Sequence, residues 1–148
     1  MVKRDRPGSF VYRDLVWQGC DLLGVGVSSF GHLRGVHYQN VAGWDNYLDT
    51  VESDALPIDR AFTPDSRERL TRELILQLKL GHINADYFRQ KFSVDIFDEF
   101  EAPLKRLSDR EMLVVADGQV RLSRAGLLRV DSLLPEFYAT QYQNSRYT

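Results

Sequence analysis

The sequence predicts a mixed α/β chain, mainly α, and three observations predict it. Residues 22–27 form an apolar run broken by Gly24 and Gly26 and closed by Ser28 and Ser29, the pattern of a buried strand leading into a loop. Residues 61–110 carry successive helical stripes separated by caps and breakers. Residues 112–134 then read as strand, Asp117-Gly118 turn, strand and capped helix, and a two-residue Asp-Gly link is a strong hairpin signal.

Residues 1–9 are polar, contain the breaker Pro7-Gly8, and read as a loose tail. Phe10, Tyr12, Leu15, Val16 and Trp17 mix strand and helix cues, and their period does not choose between them. Gly24 and Gly26 invite a phosphate-loop reading. Against it, Ser29 replaces the third glycine of the dinucleotide fingerprint, and residues 30–32 do not open a helix. Close packing or a strand kink also explains two glycines.

His32, Arg34, His37, Tyr38, Gln39 and Asn40 crowd into nine residues of a glycine-flanked loop. A zinc site at His32 and His37 would need further ligands; the only other His or Cys residues are His82 and Cys20, and although carboxylates could complete such a site, nothing in the spacing points to one. Trp44, Tyr47, Leu48 and Val51 follow at i, i+3, i+4 and i+7, so residues 44–52 read as a short amphipathic helix. Residues 56–58 cross in extended form around Pro57.

Thr63 suits a helix N-cap, Pro64 its first position and Asp65 its positive end. That helix runs to about Leu80 with a stripe of Leu70, Leu74, Ile75 and Leu78, and Gly81 ends it. Asn84 caps a second helix carrying Tyr87, Phe88 and Phe92. A third, over residues 95–110, buries Ile96, Phe97, Phe100, Leu104 and Leu107, and Pro103 kinks or divides it. Strands at 112–116 and 119–122 follow, and Ser123 caps a last helix with Leu127, Leu128, Val130, Leu133 and Leu134. Residues 141–148 are polar and read as frayed.

Three helices, a hairpin and a helix make a winged-helix-like arrangement, which raises DNA binding as a function class. The groove-entering third helix would present Asp95, Asp98, Glu99 and Glu101 first, with Lys105 and Arg106 only later. Carboxylates there repel phosphate. The module reads better as a packing or interaction element.

Composition agrees. The chain has 148 residues, 43% hydrophobic and 27% charged, with a net charge of −2, enough for one ordinary core and giving no global attraction to nucleic acid or anionic membrane. No apolar run is long enough to span a bilayer. The single cysteine, Cys20, excludes an internal disulfide and points to a reducing, cytoplasmic setting. Its expected place is in the interior, as a small hydrophobe.

DLLGVGVSS, then GVHYQN, RELILQLKLG, a phenylalanine-rich helix and RLSRAGLLRVD occur in one order over residues 19–134. In this order and spacing they resemble the C-terminal region of the oxygen-independent coproporphyrinogen III oxidase-like radical S-adenosylmethionine family. The resemblance implies a barrel-end segment at 1–60 with a Gly/Ser strand and an HYQN loop. It also implies a winged-helix-like domain at 61–140 and a tail at 141–148. The region would cover the mouth of a barrel whose enzyme oxidatively decarboxylates two porphyrinogen propionates to vinyl groups, without oxygen, in haem biosynthesis. Relatives transfer haem or open its ring; HYQN stands closer to the oxidase branch. An independent protein-binding module is the alternative.

On this resemblance Gly24, Gly26, Ser28 and Ser29 form the edge of a cofactor pocket. Arg34 and His37 pair with a substrate propionate, and Gln39 and Asn40 orient bound groups; no catalytic residue transfers. The implied partners are the N-terminal radical S-adenosylmethionine barrel and, through it, the porphyrinogen. A strand at 22–27 lacking its barrel neighbours would be open to self-association. The parent family's [4Fe–4S] cluster needs three cysteine thiolates, and this chain has one cysteine. The chain alone is therefore expected to be inactive, with no cofactor of its own. Anaerobic reconstitution followed by iron and sulfide analysis should give far less than four irons per monomer; stoichiometric incorporation would contradict this reading.

Overall fold

The computed structural model describes residues 10–140. The chain forms two compact units divided between Arg69 and Leu70, and the expected tails at 1–9 and 141–148 lie outside the described residues.

In the first unit, α1 (Val11–Trp17) takes the helical option that the sequence left open. Gly19, at φ 80°, turns the chain out of it. Cys20 is exposed, not interior, because it directly follows this helix end, outside any packed element. Strands β1 (Phe30–Leu33) and β2 (Val36–Asn40) form an antiparallel hairpin. Its turn is Arg34-Gly35, with φ of 50° and 83°, the double positive φ of a tight hairpin turn. After α2 (Trp44–Glu52), β3 (Ile58–Phe62) pairs with the other side of β2, giving the order β1-β2-β3.

Two expectations are corrected here. Residues 22–27 do not form a buried strand: they make one isolated bridge, Leu22 to His32, and Leu23 and Val25 are 68% and 74% exposed. Gly26 at φ 99° and Ser28 at φ 57° bend the segment out of extended geometry. HYQN, expected as a loop, is strand β2. The glycine that suggested a loop, Gly35, belongs to the turn before it; His37, Tyr38 and Gln39 are paired on both sides, and Asn40 pairs with β3.

The second unit holds the apolar core. Helix α3 (Ser66–Leu78) contains the division between the units. It starts two residues later than Pro64. The Asp65 carboxylate accepts from the Glu68 N–H, and the Glu68 carboxylate from the Asp65 N–H, both at 2.8 Å, a reciprocal cap. Gly81, at φ 88°, ends the helical segment and leads to β4 (His82–Asn84), a strand too short to show a period. Asn84 caps α4 (Ala85–Phe92), accepting from the Asp86 N–H at 3.0 Å. The third helix is divided at Phe100 into α5 (Ile96–Glu99) and α6 (Glu101–Asp109). Pro103 sits in the first turn of α6, where its missing N–H could not have bonded to Glu99 across a continuous helix.

Strands β5 (Leu113–Ala116) and β6 (Gln119–Leu122) are joined by Asp117-Gly118, again with two positive φ angles, 52° and 69°. The sheet order is β4-β6-β5. Ser123 caps α7 (Arg124–Leu128), accepting from Gly126 N–H at 3.1 Å. The expected last helix then continues as α8 (Val130–Leu133) and a 3₁₀ turn (Leu134–Phe137). Leu74, Leu78, Ile83, Phe88, Ile96 and Leu107 are fully buried. Among the described residues, every buried large apolar side chain belongs to this unit.

One charged group enters this core. Glu73 is 7% exposed. Its carboxylate accepts from the Tyr87 hydroxyl at 2.6 Å and from the Lys91 ammonium at 2.8 and 2.9 Å, while Lys91 also donates to Tyr87 at 2.9 Å. A buried carboxylate persists only when paired this way. Burial and the bond to Glu73 push the Tyr87 pKa up. Burial opposes the Lys91 charge, but its bonds to Glu73 and Tyr87 outweigh this and hold its pKa above the ordinary value. Both groups therefore bind their protons more tightly when folded. Their contribution is full below the ordinary values of 10.0 and 10.5 and is lost as pH rises through the folded ones. The urea midpoint should fall above pH 10, and Lys91→Met should make that fall shallower; parallel pH profiles for the two proteins would count against the triad.

Candidate functional site

The 24–29 segment is not part of a sheet, yet the backbone groups of both its glycines are bonded. Gly24 N–H donates to the Tyr38 hydroxyl at 2.8 Å, and Gly26 N–H donates to the Tyr47 hydroxyl at 3.1 Å. The Asn40 amide donates to the carbonyls of Gly24 and Gly26, at 3.2 and 3.0 Å. Tyr38 and Asn40 are two apart on β2 and so share a face of that strand, while Tyr47 comes from α2. Asn40 is 4% exposed, and its amide replaces the partners that an adjacent strand would have given.

The glycines are required sterically. A Cβ on Gly24 would lie 2.5 Å from the Phe30 carbonyl oxygen, and one on Gly31 would collide with the Tyr38 ring. Ser29 Oγ donates to the Val25 carbonyl at 2.6 Å. The Ser28 N–H donates to the Val41 carbonyl at 3.0 Å. The Asn40 N–H donates to the Ser29 carbonyl at 2.9 Å, and the Gln39 amide reaches the Ser28 carbonyl at 3.5 Å while its oxygen accepts from Arg60 at 2.8 Å.

The structure thus gathers Gly24, Gly26, Ser28, Ser29, Gln39 and Asn40 around one loop. Arg34 stands apart, exposed in the hairpin turn, its backbone N–H bonded to Asp21 at 2.9 Å. Five residues separate it from Gln39, on the order of 15 Å along a strand. His37 lies between them, paired across the hairpin with buried His32, their ring centroids 4.4 Å apart.

Sequence reasoning gave no role to two residues of this loop's support. Tyr38 was only one of a polar cluster, and Tyr47 was only a position in an apolar stripe. A partly buried tyrosine hydroxyl needs a partner, but the partial burial of both is set by the fold and is not visible in the sequence.

The implied iron–sulfur cluster does not fit this chain. One exposed cysteine cannot supply three thiolates, and the described residues contain no group of three His, Cys, Asp or Glu side chains suited to a metal. No helix among the described residues is long and apolar enough to cross a membrane.

Comparison with known proteins bears on most of the chain. Residues 65–129 match the family model described as the HemN C-terminal domain. The chain is similar to the C-terminal region of HemN. It is 28% identical over 113 residues to the oxygen-independent coproporphyrinogen III oxidase of Pseudomonas aeruginosa, covering 73% of this chain and 23% of that protein. The solved coproporphyrinogen III oxidase HemN of Escherichia coli, described as a radical SAM enzyme, shares the fold with a TM-score of 0.68 at 21% identity. That match covers 81% of this chain and 29% of the solved one. The HemN-like chain thus spans about a quarter of the length of these relatives.

Gly24→Ala should destabilise the first unit by roughly 1–3 kcal/mol, because backbone at 2.5 Å cannot give way easily. Gly43→Ala, whose Cβ would meet nothing closer than Asn46 at 3.9 Å, is the neutral control. Both tryptophans, Trp17 and Trp44, lie in this unit, so fluorescence-monitored denaturation reads it. Equal midpoints for the two variants would mean that the loop tolerates a Cβ.

Proposed function

We propose that this chain acts as the C-terminal, substrate-covering part of a radical S-adenosylmethionine enzyme of the coproporphyrinogen III oxidase type. One observation carries the reading. The likeness to HemN covers 81% of the chain, whereas the second unit is only about half of it, so the likeness extends into the unit holding the glycine loop. We read the second unit, ordered α3-β4-α4-α5-α6-β5-β6, as winged-helix-like.

In this reading the cluster-bearing barrel is the partner. The first unit supports it by its lack of a core: Leu23, Val25, Phe30, Trp44 and Leu56 are all more than 60% exposed. Contiguous exposed apolar surface marks an interaction site. The 24–29 loop is the pocket edge, and Arg34 and His37 meet propionate carboxylates, since charge-assisted bonds to carboxylate are the strong ones. Gln39 and Asn40 act chiefly by holding the loop.

The test is a chimera in which this chain replaces the C-terminal region of the Pseudomonas aeruginosa relative, assayed anaerobically for S-adenosylmethionine-dependent consumption of coproporphyrinogen III. Activity well above that of the truncated relative is expected, and Arg34→Ala should raise KM for the porphyrinogen several-fold. A folded, cluster-loaded chimera with only the truncated activity would overturn the reading.

A further inference from the structure

We infer that Tyr47, together with Tyr38 and Asn40, is a positioning residue that fixes the 24–29 loop. The inference goes beyond the pocket-edge reading, and its role in ligand capture rests on that reading. The N–H and C=O of Gly24 and the N–H and C=O of Gly26 are all bonded to side chains, two from hydroxyls and two from one amide. Beyond the bridge at Leu22, the backbone bonds that tie this segment to β2 lie at its far end, where the Ser28 N–H donates to the Val41 carbonyl and the Asn40 N–H to the Ser29 carbonyl. Without these side chains the two glycines, the most permissive residues in the chain, would sample many conformations.

The consequence is a division of labour along the loop. The glycine backbone groups are turned inward and used up. Leu23 and Val25 are turned out, 68% and 74% exposed. The three holders reach the loop from two elements. Tyr38 and Asn40 come from the strand directly beneath it, and Tyr47 from a helix that begins four residues after that strand ends. Tyr47 thus gives α2 a hydrogen bond to the loop, and its hydroxyl is the part of the side chain that makes it.

Tyr47→Phe removes that hydroxyl and preserves the ring. Amide exchange followed by NMR on the full chain should show the Gly26 N–H exchanging at least tenfold faster, with amides of the second unit unchanged. Tyr38→Phe should do the same at Gly24. In the chimera, Tyr47→Phe should raise a substrate KM several-fold with kcat and Tm unchanged, a split that a general loss of stability would not produce. Unchanged exchange at Gly26 and Gly24 would overturn the positioning role. Faster exchange with unchanged KM values would overturn its part in ligand capture. A parent chimera that is itself inactive strikes the pocket-edge reading, and the exchange result still decides whether the residues hold the loop.

Discussion

The first unit depends on a substitution of partners. A backbone N–H or C=O withdrawn from water must find another group, and in a sheet the next strand provides it. Around Gly24 and Gly26 the partners are instead two phenols and a carboxamide. Much of the local architecture follows from bringing them there. Gly31 has no side chain because the Tyr38 ring occupies that space. The Arg34-Gly35 turn folds β2 back so that Tyr38 and Asn40 point at the loop. Tyr47 requires α2 to start soon after β2. Each is a small local requirement, and they agree with one another.

The second unit is held differently. Its stability comes from apolar burial around Leu74, Phe88, Ile96 and Leu107, with Glu73, Tyr87 and Lys91 as a satisfied polar inclusion. Here the caps at Asn84, Asp95 and Ser123 set where helices begin. The second unit is held by its core, whereas the first is held by its sheet and by the side chains that bind its glycine loop.

Legibility in the sequence followed the same division. The α4 and α7 caps, the divided third helix, the Asp117-Gly118 hairpin and the apolar stripes were readable, because each rests on chemistry within a few residues. The β4 strand was not, since three residues carry no period. The 22–27 run misled for a specific reason: its apolar residues are real, but their exposure cannot be seen in a sequence. HYQN misled through its flanking glycine, which belongs to the turn. Read as a strand, its period of two would have put Tyr38 and Asn40 on one face. The pairing of Asn40 with Gly24 and Gly26 spans 14 to 16 positions and depends on the hairpin's register, which no local pattern encodes. The resemblance to the oxidase family supplied what local chemistry could not, a likeness over most of the chain.

The uneven distribution of burial has a consequence for synthesis. The ribosome releases the residues up to Arg69 first, and these include Leu23, Val25, Phe30 and Trp44, none of which finds an interior in its own unit. The residues that make a core, from Leu70 onward, follow. Within this stretch the exposed apolar side chains therefore emerge before the residues that form a core, the condition under which nascent segments recruit chaperones or aggregate.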